Sequence, residues 1–145
     1  MGIYTIVLAL RAAPNVADAA VPGHEFLMIR TGKRGGLWEL PGGRGEPGEG
    51  ALACARREFR EETGYEWEAA RLIQRRRTPI GEGHVFRCEL GNRLAAPEPD
   101  VKDVRFVPRL PPPDQLGFPD DPYDGLFAAA RRDLEAWQAG LAGPK

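Results

Sequence analysis

The sequence predicts an α/β fold in which a mixed β-sheet is sandwiched between helices. Segments with a strand-like pattern occur both before and after one clear helix at residues 51–63. A second helix near the C-terminal end carries an apolar stripe that suits the opposite face of the sheet. The length of 145 residues suits one domain with its own core, and no internal repeat is visible. We therefore expect residues 1–145 to form a single domain.

The chain begins with predicted strands. Residues 3–10 are a short apolar run rich in β-branched side chains, which is typical of a buried strand. Residues 13–23 contain turn-forming residues and predict a loop, and residues 24–30 predict a second strand beside the first. Residues 37–40 predict a short third strand. The glycines and prolines of residues 41–50 then predict a loop whose backbone can approach a ligand closely.

The helix that follows has clear boundaries. It is predicted to run from Ala51 to Thr63, with Gly50 near the N-cap and Gly64 as the left-handed residue that ends it. Apolar residues recur on one side at helical spacing, which predicts that this side packs on the sheet. The residues of this apolar side are Leu52, Ala55 and Phe59. The acidic side of the helix is then left to face a cleft.

Three further strands are predicted after this helix. Residues 66–80 and 83–90 read as two strands around a turn at Pro79–Gly83. Residues 91–103 form a polar connection, and residues 104–108 predict a last short strand.

The C-terminal part predicts one more helix. The triple proline Pro111–Pro113 excludes helix there and predicts a stiff spacer within the domain. The helix is predicted to begin with Asp121 at the N-cap, Pro122 at the first position and Asp124 at the third, and to end at Gly140. Its apolar stripe consists of Leu126, Phe127, Ala130, Leu134 and Trp137.

Composition and charge narrow the functional classes. A net charge of −1 and a pI near 6.1 argue against a general attraction to nucleic acid or acidic membranes. No apolar run approaches the length of a membrane span, and no signal peptide is recognisable, so we expect a cytoplasmic protein. The two cysteines have neither zinc-site spacing nor a disulfide framework, and Cys54 reads as core filling rather than as a nucleophile.

Acidic residues on the first helix predict a metal site. Glu58, Glu61 and Glu62 stand at i, i+3 and i+4, so they project from one face and repel one another. Such a cluster persists most readily where a cation gathers it. Carboxylate oxygens are hard ligands that suit Mg²⁺ or Mn²⁺ rather than zinc. Backbone carbonyls of the preceding glycine loop, near Gly42 or Gly43, can complete the ligand set.

The spacing of this stretch resembles a family signature. The order is Gly43, five residues, Glu49, seven residues, Arg57-Glu58-Phe59, one residue, Glu61-Glu62, one residue, Gly64-Tyr65. This resembles the Nudix hydrolase signature at every defined position. The one approximate match is Tyr65, which occupies the last position of the signature, where a bulky apolar residue is expected. The agreement of many positions over one stretch is far more specific than a short glycine motif.

The resemblance implies both fold and chemistry. It implies a Nudix-type α/β/α sandwich and a Mg²⁺-dependent attack of water on a pyrophosphate, with metal ions held by Glu58, Glu61, Glu62 and a carbonyl such as that of Gly43. Arg57 is implied to pair with the residue that matches Glu49 and so to tie loop to helix. These two residues are structural in the motif.

Two groups of residues are candidates for roles beside the metal. The water's proton is taken in such relatives by a signature glutamate or by a loop acid. Glu58 and Glu61 are the catalytic candidates of the helix, Asp100 is the loop candidate, and Glu98 and Glu82 are the fallbacks. Residues 98–100 read equally well as an ordinary acidic turn. Lys33, Arg34 and Arg76 are candidates for binding substrate phosphates, and the alternative for each is solvated surface.

The substrate is predicted only as a class. Pro79, fourteen residues after Tyr65, resembles a proline of ADP-ribose-type members, and this favours an ADP-ribose-like or other nucleotide sugar. The alternatives are a nucleoside triphosphate pyrophosphohydrolase and a non-catalytic nucleotide-binding module. Because Glu58, Glu61 and Glu62 are all present, catalysis is favoured over binding alone. The expected partner is a small-molecule nucleotide, and a homodimer is compatible with the prediction.

Overall fold

In the computed structural model, which describes residues 2–79 and 81–140, seven strands form one mixed sheet that lies between two α-helices. The predicted α/β fold is confirmed. Ile80, part of the predicted turn, lies outside the described residues. The elements are β1 Gly2–Ala12, β2 His24–Thr31, β3 Trp38–Glu39, β4 Gly42–Arg44, α1 Ala51–Thr63, β5 Tyr65–Thr78, β6 Gly81–Arg93, β7 Val101–Val107 and α2 Tyr123–Gln138. No helix in these residues is long and apolar enough to cross a membrane.

The long strand β1 organises the sheet. It pairs in parallel with β6 along most of its length, and β6 forms a hairpin with β5. The C-terminal end of β1 pairs antiparallel with β2, where Leu10 lies opposite Phe26, and β2 pairs in turn with β3 and β7. The N-terminal half of β1 pairs antiparallel with β4, where Thr5 lies opposite Gly43. β1 therefore has two different partners, β2 and β4, at its two ends.

The strand β4 corrects the sequence analysis, which placed these residues in a loop. Gly42 allows the pairing because a Cβ at this position would lie 2.0 Å from the carbonyl oxygen of Thr5. Only glycine fits so close an approach of two backbones. The pairing fixes the glycine segment against the sheet, directly before α1.

The two helices cover opposite faces of the sheet. On one face, Ala55 and Phe59 of α1 belong to a buried cluster with Val7, Leu27 and Phe86. On the other face, the stripe of α2 packs as predicted on the sheet, and its Leu126, Phe127, Ala130 and Leu134 are buried. The prediction for Leu52 is wrong, since 53% of this residue is exposed. In the first turn of α1 it is Ala51 that packs against the core.

Several boundaries also differ from the prediction. α2 begins at Tyr123 with Pro122 in the capping position, and Asp121 does not cap it with its side chain. The reason is that both carboxylate oxygens of Asp121 accept hydrogen bonds from Arg76 Nη1, at 2.8 and 3.0 Å. β7 begins at Val101, earlier than expected. The triple proline leaves room for a single 3-10 turn that starts at Pro113.

Candidate active site

Arg57 joins the glycine segment to the acidic face of α1. Its Nε and Nη2 donate to the two carboxylate oxygens of Glu49 at 2.8 and 2.9 Å, a bidentate ion pair. Hydrogen bonding from Arg57 lowers the pKa of Glu49 to about 2, so this carboxylate stays ionised. Nη1 of Arg57 donates to Glu58 at 3.0 Å and to Glu61 at 2.8 Å. One guanidinium therefore donates hydrogen bonds to three carboxylates and lies 3.8 Å from a fourth, that of Glu46, so it fixes the loop and helix that carry them.

The acid cluster, which we define as Glu58, Glu61 and Glu62, lies where α1 meets β4. Glu62 accepts a hydrogen bond from the backbone N–H of Gly42 at 2.8 Å. Glu58 lies against Gly43 so closely that a Cβ there would be 2.6 Å from the carboxyl carbon. Glu58 and Glu62 therefore lie beside the two glycines of β4.

Burial makes this cluster electrostatically unfavourable when no cation is bound. Burial raises the pKa of Glu62 to about 8, although the Gly42 N–H lowers it, and the charges of Glu58 and Glu39 raise it further. Burial also raises the pKa of Glu58, against the lowering effect of Arg57. Each shift reflects mainly the cost of burying a charged carboxylate, to which the neighbouring carboxylates add a smaller repulsion. A bound cation would remove this cost.

The carboxylates are not arranged as a finished metal site. Within residues 2–79 and 81–140, no three His, Cys, Asp and Glu side chains are grouped so that they could hold a metal ion. Glu58 and Glu61 are drawn to Arg57 instead, and Glu62 to Gly42. This is what three repelling carboxylates do when nearby donors are their available partners. Metal binding would require these side chains to turn from their present partners.

The backbone carbonyl of Gly43 is held by two side chains, one from β1 and one from α1. Its carbonyl accepts long hydrogen bonds from the hydroxyl of Thr5 at 3.4 Å and from the thiol of Cys54 at 3.7 Å. Cys54 is fully buried and burial raises its pKa, which is unfavourable for a nucleophilic thiolate. The thiol therefore positions the glycine segment, and it agrees with the expected role as core filling.

The loop between β6 and β7 brings a fourth carboxylate to the cluster. The backbone N–H of Glu98 donates to the carbonyl of Glu61 at 2.8 Å. Interaction with the neighbouring Glu61 carboxylate raises the pKa of Glu98. Asp100, two residues further along the same loop, pairs with Lys33 at 3.6 Å. The remaining fallback, Glu82, pairs with His84 at 3.2 Å on β6.

Gly64 anchors the first part of this loop. It ends α1 with a left-handed φ of +78°, and its carbonyl accepts from the N–H groups of Leu94 and Ala95 at 2.7 and 3.2 Å. A Cβ at Gly64 would lie 2.0 Å from the carbonyl oxygen of Ala95. The helix end and the loop are thus in direct backbone contact.

The three predicted phosphate-binding cations have different surroundings. Lys33 is the most exposed, with 71% of its side chain accessible, and its charge acts on Glu58 and Glu62 of the acid cluster. Arg34 pairs with Glu39 and lies over the ring of Phe118. Arg76 is held in its ion pair with Asp121. Lys33 is therefore the cation best placed to reach a phosphate at the cluster.

A cavity of about 320 Å³ opens beside the glycine segment. The sequence analysis did not anticipate it. Its lining includes Tyr4, Arg34, Glu39, Gly43, Phe118 and Tyr123. The one available signal was Glu39 itself, an acid within the otherwise apolar run of residues 37–40. The burial of that acid depends on chain segments far away in the sequence.

A family model described as NUDIX domain matches residues 11–125. A Bacillus subtilis (strain 168) protein named for 8-oxo-dGTP diphosphatase activity is 66% identical over 29 residues. That match spans 20% of this chain and 20% of the relative, so the relative is matched over only a fifth of its length.

Solved structures share the fold. An ADP-ribose pyrophosphatase from Streptococcus suis aligns with a TM-score of 0.66 and 19% identity, over 92% of this chain and 91% of that one. A Bacillus subtilis pyrophosphohydrolase gives 0.65 and 17%, over 92% and 81%. The NUDIX domain of Shewanella oneidensis NrtR, solved with ADP ribose, gives 0.63 and 16%, over 91% and 87%.

Proposed function

Because the chain belongs to the NUDIX domain family, we propose that it hydrolyses the pyrophosphate bond of a nucleoside diphosphate linked to another group, with the help of a divalent metal ion. One observation carries the proposal. The acid cluster of α1 lies against β4, with Glu58 beside Gly43, and Arg57 ties this helix to Glu49. This is the arrangement that the signature implies, and all of its carboxylates are present.

The residues fit a hard divalent cation. Glu58, Glu61 and Glu62 offer carboxylate oxygens within one patch, and a bound cation would stabilise the charged form of Glu62, whose pKa is raised mainly by burial. We propose that these three residues and the carbonyl of Gly43 hold Mg²⁺, or Mn²⁺ in its place. When bound, such an ion stabilises the charge that develops on the phosphate and lowers the pKa of a coordinated water.

The chain's own residues supply orientation and proton transfer. Before a metal binds, Arg57 holds Glu58 and Glu61 through a single nitrogen and so keeps these two carboxylates close together. For the acceptor of the water's proton we propose Glu58 or an acid of the β6–β7 loop. The contact between Glu98 and Glu61 supports Glu98 ahead of Asp100, whose carboxylate pairs with Lys33. General acid–base groups must lie within hydrogen-bond reach of the proton they take.

Among the basic residues, Lys33 is proposed as the main phosphate ligand. Its mobile ammonium group can turn from Asp100 towards a phosphate without breaking a buried contact. Arg34 and Arg76 remain candidates, and Arg76 would first have to leave Asp121.

Two substrate classes are supported by different observations. The fold matches an ADP-ribose pyrophosphatase and a domain that binds ADP ribose, which supports a nucleoside diphosphate sugar. The short, highly identical match to a protein named for 8-oxo-dGTP diphosphatase activity supports a nucleoside triphosphate instead. A module that only binds nucleotides is disfavoured, because none of the signature carboxylates has been lost.

The test is release of product from purified protein with and without Mg²⁺. The panel contains ADP-ribose, other nucleotide sugars, diadenosine polyphosphates and nucleoside triphosphates. We expect metal-dependent hydrolysis with the highest kcat/KM on a nucleotide sugar. A clear preference for any triphosphate would support the second class, and no turnover of any compound would refute the proposal. For the active-site variants, Glu135→Gln on the exposed side of α2 is the control, because it removes a carboxylate away from the acid cluster.

A further inference from the structure

A second cavity, of about 340 Å³, lies beside the loop between β6 and β7. None of its lining residues belongs to the acid cluster or to the cavity beside the glycine segment. Pro97 and Val101, which flank the loop acids Glu98 and Asp100, form part of its wall. Its volume is at the lower end of the roughly 300–1,000 Å³ of ligand pockets, so it suits a small molecule.

The charged side chains around this cavity are mostly positive. Three basic side chains and a single acid line it. The acid, Asp103, already pairs with Arg30 at 3.7 Å and with Arg105 at 3.0 Å, and neither of these arginines is part of the lining. The balance of charge inside the cavity is therefore positive, which favours an anionic ligand. The basic lining residues are Arg11, Arg93 and Lys102.

Two of these cations have no carboxylate partner. Within residues 2–79 and 81–140, neither Arg93 nor Lys102 forms an ion pair. Arg93 Nε donates a long hydrogen bond of 3.4 Å to the carbonyl of Ala95, and its two Nη groups make no hydrogen bond to these residues. A single surface cation is ordinarily solvated, but two unpaired cations that border one cavity offer several donors to the same anion.

The third cation and the aromatic wall are held in place. The guanidinium of Arg11 lies 3.8 Å from the centroid of the Phe106 ring and pairs with Glu25 at 3.1 Å. The ring of Tyr65 meets Phe106 edge to face, with 6.3 Å between centroids. In the described part of the chain the Tyr65 hydroxyl makes no hydrogen bond, so it is available to donate to an anion. Groups that are already positioned lose little freedom when a ligand binds.

We propose that this cavity is a second binding site, which takes the phosphate group of a small molecule and requires no metal ion. A terminal phosphate carries about two negative charges near neutral pH and accepts several hydrogen bonds. It matches the donors of Arg93 and Lys102, together with the Tyr65 hydroxyl. Because Pro97 and Val101 are part of the wall, a bound molecule also restrains the loop that carries Glu98.

Direct binding in the presence of EDTA tests this site without any turnover. Inorganic phosphate, ribose 5-phosphate and AMP are titrated calorimetrically into the wild type, Arg93→Gln and Lys102→Gln. Arg132→Gln on the exposed side of α2 removes the same charge elsewhere and is the matched control. Lys33→Gln reports on binding beside the acid cluster. We expect saturable binding that is at least about tenfold weaker in Arg93→Gln and Lys102→Gln, because each loses charge-assisted hydrogen bonds, and unchanged in the other two variants.

The outcomes also distinguish the source of the phosphate group. Tighter binding of ribose 5-phosphate or AMP than of inorganic phosphate would support an organic phosphate as the ligand, and the reverse order would support free phosphate. On binding, hydrogen exchange of the Glu98 amide should slow, because the loop is restrained.

Three results would overturn the inference. They are no saturable binding of any compound, binding of wild-type strength in both Arg93→Gln and Lys102→Gln, and binding that is lost in Lys33→Gln alone, which would place the phosphate at the acid cluster. Melting temperatures are recorded for all variants, so that a loss of binding is not confused with a loss of folding. None of these results depends on hydrolysis, so the inference and the proposed function can fail separately.

Discussion

Two groups of arginines and carboxylates lie on opposite faces of the sheet, one beside each helix, and they differ in the ratio of positive to negative charges. Beside α2, Arg71 and Arg87 donate to Asp133 at 2.8 and 2.7 Å, and Arg87 also donates to Glu89. Two cations here meet two anions. Beside α1, the single Arg57 faces Glu49, Glu58 and Glu61, with Glu62 and Glu98 close by.

We propose that this difference separates a structural network from a ligand site. In the balanced network Arg87 is 2% exposed and every charge has an opposite partner. Although burial raises the pKa of Asp133, the hydrogen bonds from Arg71 and Arg87 lower it by more. At the acid cluster the pKa of Glu62 and Glu58 is raised instead. An excess of one charge among partly buried groups is tolerated where a ligand of opposite charge is expected.

The largest expected effect is on stability, from Asp133→Ala in the balanced network. This change removes one of the two carboxylates that pair with the buried Arg87, and it should cost about 3 kcal/mol. Thermal denaturation should show a melting temperature lower by roughly 6–12 °C. The activity of the protein that remains folded should be unchanged. A stable Asp133→Ala variant with impaired turnover would reverse the roles we assign to the two networks.

Glu61→Gln should affect activity and spare stability. The side chain keeps its shape and its contact with Arg57, but the cluster loses one charge. We expect kcat at limiting Mg²⁺ to fall by about 10²-fold, the scale of removing one strong electrostatic contributor. Turnover is measured across a Mg²⁺ titration, together with the melting temperature. Wild-type activity at limiting Mg²⁺ would show that Glu61 does not hold the metal.

The loop acids sharpen the comparison further, because Glu98 bonds to Glu61 through its backbone N–H, whereas the Asp100 carboxylate pairs with Lys33. Glu98→Gln should lower kcat by roughly 10²-fold with little change in KM, as expected for the loss of a general base. Asp100→Asn serves as the matched change at the outer position, and a smaller loss is expected. The pH dependence of kcat is recorded for both. If Asp100→Asn causes the larger loss in kcat, then Asp100 and not Glu98 takes the proton.

A further expected effect is a gain in stability from Glu62→Gln. The pKa of Glu62 in the folded protein, about 8, lies above the ordinary value of 4.5, so the protonated form favours folding. This stabilisation is fully present below pH 4.5 and is lost as the pH rises through 8. Metal-free wild type should therefore melt at a lower temperature at pH 8.5 than at pH 6, and Glu62→Gln should reduce that difference. An identical pH dependence in both proteins would contradict the assignment.

Local sequence signals were sufficient for most of the fold and for the position of the acids. Helix α1 was predictable because its end at Gly64 and its acidic face depend on residues within one or two turns. The stripe of α2 was predictable for the same reason. These features do not require knowledge of distant partners.

What was missed depends on contacts between distant residues. Gly42–Arg44 became a strand because β1 offers an edge some forty positions earlier, and no residue of the segment has a strand preference. Asp121 lost its capping role to Arg76, 45 residues away. The burial of Glu39 needs the segment around Leu116–Phe118, which bonds to Trp38. Propensity and spacing carry no information on such pairings.

The backbone contacts of Gly64 have a consequence for hydrogen exchange. The loop is fixed to the end of α1 at Leu94 and Ala95 and again at Glu98, which leaves only two residues between the fixed points. For the amide of Glu98 to reach solvent, its bond to the carbonyl of Glu61 in the last turn of α1 must break. The amides of Glu98 and Gly64 should then exchange with similar protection, as one cooperative unit. The loop acid and the helix acids would open together and close together.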